Sequence, residues 1–438
     1  MFRKGKKMLG LLVLVGLLIA FLAQAVWSAE KVQLNWWVVS EPKRDECIKV
    51  IINNFQQEYP DIEVNLVSIP NDPYKTKIRV AVGSDAPPDL FEVWVGEFTG
   101  KFVRAGQVLD ITDYLTGAWR ESLGGAVTVL TYDERIYGVP HCLQVKYMFY
   151  IRSVFDEVGV RVPQTWDEFL NVCAKLKAAG YIPIAQGNLN RWPGCHWISI
   201  LNQKIVGEDQ IFKDYNLQGS PEDLFTAEAY VEALAKLLSL QEKGFFSKGM
   251  NAMTQSEARA LFLVEQAAMF YGGTWQLVTF GGAAGEVEPG WIDGLSAFRF
   301  PDIPEGLGNQ DYILGAPGGM VVSSKTKYPE EVISLLRYFS SVESQKLWAK
   351  TTNELTVVKG TTTEETAPFA LQIELARDTA EASGMIGWLD TVLEISVSTD
   401  YLNGIQAMLN YTMTPEQVME MVRETAQLVQ SQIGPITY

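Results

Sequence analysis

The sequence predicts an α/β protein organised in two domains. The chain has 438 residues, more than one ordinary core organises. Along its first hundred residues, strand-type and helix-type hydrophobic periods alternate. Further on, sharply capped helices are separated by long Gly/Pro-rich loops.

Val32 to Val39 is apolar and β-branched, as a buried strand requires. Arg44 to Tyr59 places Ile48, Ile51, Ile52 and Phe55 at helical spacing and is stopped by Pro60. Ile62 to Ile69 alternates apolar and polar residues and reads as a strand. Tyr74 to Val82 reads as a short helix, and Leu90 to Val95 as a strand entered through Pro87-Pro88. This β-α-β-α-β order implies a largely parallel sheet. Thr165 to Glu168, Thr254 to Glu257 and Thr414 to Gln417 are capping boxes that open helices. Three loops, Gly187 to Gly194, Gly281 to Gly290 and Pro301 to Gly319, are long for plain connections and are candidate binding loops.

Residues 1–25 stand apart. Arg3, Lys4, Lys6 and Lys7 precede an uncharged apolar run, Leu9 to Leu22, and Ala23-Gln24-Ala25 is a small-x-small cleavage site. Together they read as a secretory signal peptide. The run is short for a membrane span of about 20 residues; cleavage after Ser28 or Ala29 fits as well. The protein is therefore expected to be exported, to the periplasm or the extracellular face of the cytoplasmic membrane.

The net charge is −16, and loss of the four leader cations takes it to −20. Such a surface repels nucleic acid and anionic lipid, and it argues weakly against an anionic ligand. The four cysteines are Cys47, Cys142, Cys173 and Cys195, and the two histidines are His141 and His196. No spacing among them resembles a metal motif, and two histidines exclude a His-rich zinc site. Cys47 and Cys173 fall in helical patterns as small buried thiols. A Cys142–Cys195 bridge is one arrangement that an exported location permits; pairing does not follow from sequence.

Several stretches, in order, resemble a known family. They are Phe55 to Val64, Ala86 to Phe91, Gly106 to Thr112, Ile136 to Pro140, Pro163 to Phe169, Gln266 to Trp275, Gly318 to Ser324, Pro329 to Phe339 and Met413 to Val418. The chain is similar to the extracellular solute-binding proteins of ABC sugar importers (family 1, maltose-binding-protein-like). That resemblance implies a two-lobed periplasmic-binding-protein fold, type II-like, with a ligand cleft between lobes joined by three crossovers. The crossovers are expected near Pro140 to Val145, Phe298 to Pro301 and Thr351 to Val357. Residues 26–142 with 300–354 then form the first lobe, and 143–299 with 355–438 the second.

Sugar recognition needs aromatic rings over C–H faces and forked polar groups on the hydroxyl rim. The 12 Trp supply the rings. By the resemblance, Trp94, Trp275 and Trp388 are stacking residues, and Glu97 and Glu41, four residues on from Trp37, are acidic contacts; Trp37 is itself counted among the ligand-binding residues. Gln144 replaces a third carboxylate. Trp192, Trp197 and Arg191 fall where the second lobe supplies contacts, and Asp311 is a further candidate. Core packing is the competing account for each tryptophan, and a charge at a helix N-terminus for Glu41 and Glu97. Trp166 and Trp348 fit packing better than binding, and Tyr271 continues a buried strand.

The expected protein is thus a monomeric binding component that captures a carbohydrate and delivers it to a membrane permease. It has no catalytic residues, metal or cofactor. Two alternatives stay open: a binding protein for a polyamine or glycerol phosphate, and a secreted carbohydrate-active enzyme. The second is opposed by the absence of a Gly-x-Ser-x-Gly elbow, a phosphate loop and a His-Glu-x-x-His motif.

Overall fold

A computed structural model describes residues 31–282, 285–288 and 290–437. The leader expected over residues 1–25 lies outside the described residues. The strands are β1 (Val32–Val39), β2 (Ile62–Ile69), β3 (Leu90–Trp94), β4 (Thr131–Tyr132), β5 (Arg135–Ile136), β6 (Gly138–Ile151), β7 (Ile182–Ala185), β8 (Ala267–Gly273), β9 (Leu295–Phe298), β10 (Tyr312–Val322), β11 (Leu355–Thr356) and β12 (Gly384–Ile386). One curled sheet runs β2-β1-β3-β10-β6-β8-β7, with β9 and β11 joined to β6 and β12 to β10. Strands β4 and β5 form a separate two-stranded sheet.

The first lobe follows the hydrophobic periods. In β1, Leu34, Trp36 and Val38 are buried at every second position. The helix Pro42–Glu58 buries Ile48, Ile51, Ile52 and Phe55, and each such side chain contributes about 1.5–3 kcal/mol. It begins two residues earlier than its apolar face implies. Pro42 lacks the N–H that a first helical residue leaves unused, so the helix starts there. Thr254 with Glu257 and Thr414 with Gln417 form reciprocal capping boxes. At Thr165 the exchange is shifted: Thr165 accepts from the Glu168 amide, while the Glu168 carboxylate takes the Gln164 amide at 2.7 Å.

Two strands belong to both lobes. Gly138 to Val145 of β6 pairs with β10, and Lys146 to Tyr150 pairs with β8. Strand β10 pairs with β12 at Tyr312 to Leu314 and with β3 at Gly318 to Val322. Strand β11 adds to β6 at Leu143 and Cys142. These three strands carry the chain between the lobes. Residues 300–311, expected in the first lobe, pack on the second: Phe300 stacks on Trp166, and Lys204 pairs with Asp302 at 3.0 Å. The return crossing is therefore β10, later than Phe298 to Pro301. The long loop expected to reach Gly319 ends where β10 begins at Tyr312, because Tyr312 to Val322 finds partners on both sides.

One apolar cluster, with Trp36, Phe55 and Phe339, fills the first lobe, and a larger one, with Phe149, Trp197 and Phe270, fills the second and continues under β3. Trp166 and Trp348 are core residues, as is Tyr271. All four cysteines are free and buried. The Cys142–Cys195 bridge does not form: Cys142 sits on β6 near Arg44, and Cys195 lies in a helix beside Asp390. No helix among the described residues is long and apolar enough to cross a membrane.

Candidate functional site

Where β6 and β10 cross between the lobes, a cavity of about 460 Å³ opens. Its first-lobe wall starts at Glu41, the N-cap of helix Pro42–Glu58. The Glu41 carboxylate accepts the amides of Lys43 and Arg44 at 3.1 and 3.0 Å. Burial raises its pKa, opposed by the Arg44 amide and charge. The cap aims the first helical turn at the cavity, so Arg44 lies on its floor. There Arg44 forks onto Glu354, with Nη2 at 2.5 Å from Oε1 and Nε at 3.0 Å from both oxygens. Glu92 stands 3.6 Å from Nη1 and accepts the Val39 amide at 2.9 Å. Burial works against the Arg44 charge, and Glu354 and Glu92 more than offset it. Trp348 Nε1 closes the network on Glu354 at 3.1 Å.

The second-lobe wall is aromatic. Trp192 opens the helix Trp192–Val206, Trp275 follows β8, and Trp388 follows β12. The three indoles surround His196. Its ring lies 4.6 Å from Trp388, 5.1 Å from Trp192 and 6.4 Å from Trp275. Trp275 meets Trp192 and Trp388 edge-on at 6.4 and 5.8 Å. Gly273 makes this packing possible: a Cβ there would fall 2.0 Å from the Trp275 ring. Burial and the charges of Lys146 and Lys75 hold the His196 pKa well below its usual value, so the ring is neutral. Behind the rings, Lys146 donates to the Tyr271 carbonyl at 2.7 Å and lies 5.5 Å from the Trp275 centroid. Burial brings its pKa down to about 7.

The walls touch. Lys75, on helix Asn71–Gly83, pairs with Asp390 of the second lobe at 2.5 Å and lies 4.8 Å from the Trp94 ring centroid. Asn190 of the second lobe donates to Asp72 of the first. Gly96, at φ +83°, brings backbone against Val392, where a Cβ would meet that side chain at 3.0 Å.

The cavity gathers Glu41, Trp94, Gln144, Trp192, Trp275 and Trp388 from the expected set. The others lie elsewhere. Trp37 is half-buried in β1, where its carbonyl accepts from Tyr74. Glu97 is buried against Arg104. Trp197 is enclosed in the second core, with its Nε1 on Gln186 at 2.9 Å. Asp311 pairs with Arg299 and accepts the Ser383 amide. Arg191 lines a neighbouring cavity, beside Asn403. Sequence reasoning did not single out Arg44, Glu92, Lys75, His196, Arg259 or Asp390, which also line the cleft.

Among the described residues, ligand atoms of Cys195, His196 and Asp390 lie within 4.8 Å of one another. Burial pushes the Cys195 thiol pKa well up, which keeps its sulfur protonated, and Lys75 already neutralises Asp390. His196 Nδ1 and Asp390 Oδ1 have no hydrogen-bond partner among the described residues.

Two lobes on shared strands, with a cleft of fixed charges facing packed rings, define the class: a hinged, bilobal solute-binding protein. The profile described as bacterial extracellular solute-binding protein matches residues 41–346, and the chain belongs to that family. It is 26% identical over 386 residues to the multiple sugar-binding protein of Streptococcus mutans, covering 85% of this chain and 88% of that protein. A solved structure from work on xylan utilization by the thermophilic bacterium Caldanaerobius polysaccharolyticus superposes with a TM-score of 0.83 at 26% identity, covering 90% of this chain and 99% of that one. A chitin oligosaccharide binding protein shares the fold, with a TM-score of 0.81 at 22% identity over 92% of this chain and 100% of that one.

Proposed function

We propose that the cleft captures a mono- or oligosaccharide outside the cytoplasmic membrane and that the closed, monomeric protein delivers it unaltered to an ABC permease. One observation carries this reading: Trp192, Trp275 and Trp388 packed around His196, facing the Glu41, Arg44 and Glu92 group across about 460 Å³. Rings of this kind cover the C–H faces of a pyranose, and the opposite wall presents fixed acceptors and donors to its hydroxyls. The similarity to a multiple sugar-binding protein supports the same ligand class. A ligand touching both walls favours the closed form by its differential affinity for it.

The test is a thermal-shift screen of the mature protein against mono- and oligosaccharides, with polyamines and glycerol phosphates alongside. A ligand at ~100 times its dissociation constant stabilises by about 2.7 kcal/mol. A raised midpoint with one saccharide class, and the sugar recovered intact, is the expected result. A shift with polyamines or glycerol phosphates alone overturns the ligand, and consumption of the sugar overturns the binding role.

A further inference from the structure

We infer that the cleft continues into a subsite for an acidic group, formed by Arg79 and Arg191, and that the preferred ligand is a saccharide carrying a carboxylate, as a hexuronic acid does. This rests on the sugar-binding reading of the main cleft.

A second cavity, of about 310 Å³, adjoins the first. The two share Asp72, Lys75, Asn190, Trp192 and Asp390. One molecule can therefore pass from one to the other along Trp192. The cations of the second cavity are Lys75, Arg79 and Arg191, and its carboxylates are Asp72 and Asp390. Lys75 is committed to Asp390 at 2.5 Å, and Asp72 accepts from Asn190. Glu394, near Arg79, holds the Ser396 amide as a helix cap.

Two guanidiniums remain. Arg79 lies 4.7 Å from the Phe98 ring centroid and has no hydrogen bond or ion pair among the described residues. Burial works against its charge, and Asp390 and Glu394 offset that only in part. Arg191 makes one side-chain hydrogen bond, to the Asn403 amide oxygen, and has no ion pair among the described residues. Its backbone is held at φ 65°, a conformation that non-glycine residues rarely adopt outside constrained sites. Arg191 and Trp192 are also the N-cap and first residue of the 15-residue helix Trp192–Val206, so the positive end of that helix faces the same cavity.

A partly buried guanidinium without an ion pair is costly, and that cost falls when a ligand supplies the anion. A carboxylate matches the planar fork of Arg bidentately. The cavity's link to the aromatic cleft places that carboxylate on a sugar whose ring lies against Trp192. The subsite also overrides, locally, the repulsion that a chain of net charge −16 exerts on anions.

The test is titration calorimetry on the mature protein with matched saccharide pairs, each neutral oligosaccharide against the same chain bearing a hexuronic acid, and a sulfated counterpart as a third arm. The expected result is at least tenfold tighter binding of the uronic acid member at low salt. Arg79→Gln should abolish that preference while neutral affinity is kept, and Arg79→Lys should restore part of it. Arg191→Gln should also reduce the preference. Equal affinity within pairs overturns the subsite and leaves the sugar reading standing. A preference for sulfate alone overturns the carboxylate assignment. No binding by any saccharide overturns both readings. The wild-type comparison decides the matter even where a variant folds poorly.

Discussion

On the first-lobe wall, the buried Arg44 meets Glu354 at 2.5 Å with Glu92 3.6 Å away. On the second-lobe wall, the equally buried Lys146 has no ion pair among the described residues and rests on the Tyr271 carbonyl and the rings of Tyr271 and Trp275. The difference reflects what each wall offers a ligand. Arg44 keeps its charge because its neighbours hold it, so the first wall presents a fixed polar pattern. Lys146 loses its hold on a proton near pH 7, so the second wall presents apolar faces over a weakly held charge. Paired charges give direction, and packed rings give area.

The largest effect expected from this contrast is on stability. Arg44→Met strands two buried carboxylates, and its expected cost is about 3–5 kcal/mol, read from urea unfolding. A much smaller loss would mean that the first wall does not depend on its ion pairs. Lys146 predicts a pH dependence. Its folded pKa of about 7 lies below the ordinary lysine value, so the unfolded chain binds more protons above pH 7 and stability rises with pH there. The burden is complete below pH 7 and is relieved as pH climbs towards the unfolded lysine range. Between about pH 7 and 9 the gain is on the order of 2 kcal/mol. Lys146→Met should be more stable at neutral pH and should lose this slope. A slope that persists in the variant would assign it to another group. On binding, Trp275→Ala should weaken saccharide affinity by ~1–3 kcal/mol, and it should also lower the unfolding midpoint because the ring packs on Trp192, Trp388 and His196. If calorimetry finds affinity unchanged, the aromatic wall is packing rather than recognition.

Strands and caps were legible because their signals are local. The bounds of β1 and β2 follow from periods within eight residues. Trp94, Trp192, Trp275 and Trp388 could be placed near the cleft because the family resemblance implies aromatic contacts at those positions. Trp197 could not be separated from them. Its helix is buried at every position from Pro193 to Val206, so periodicity carries no facing information. Arg44 and Glu354 lie 310 residues apart, and Lys75 and Asp390 315 apart. No window along the chain joins them. The return crossing was misplaced for a related reason: a Gly/Pro-rich stretch reads as a loop, yet β10 is held by β3, β6 and β12 from distant parts of the sequence.

The Lys75–Asp390 contact ties the two lobes directly to one another. A contact made between the lobes themselves favours the closed arrangement over an open one. The same contact lowers the threshold for scarce solute, since a weak ligand has less closing left to do. Ionic strength weakens such a contact wherever water reaches it, so the salt of the surroundings tunes how readily the lobes close.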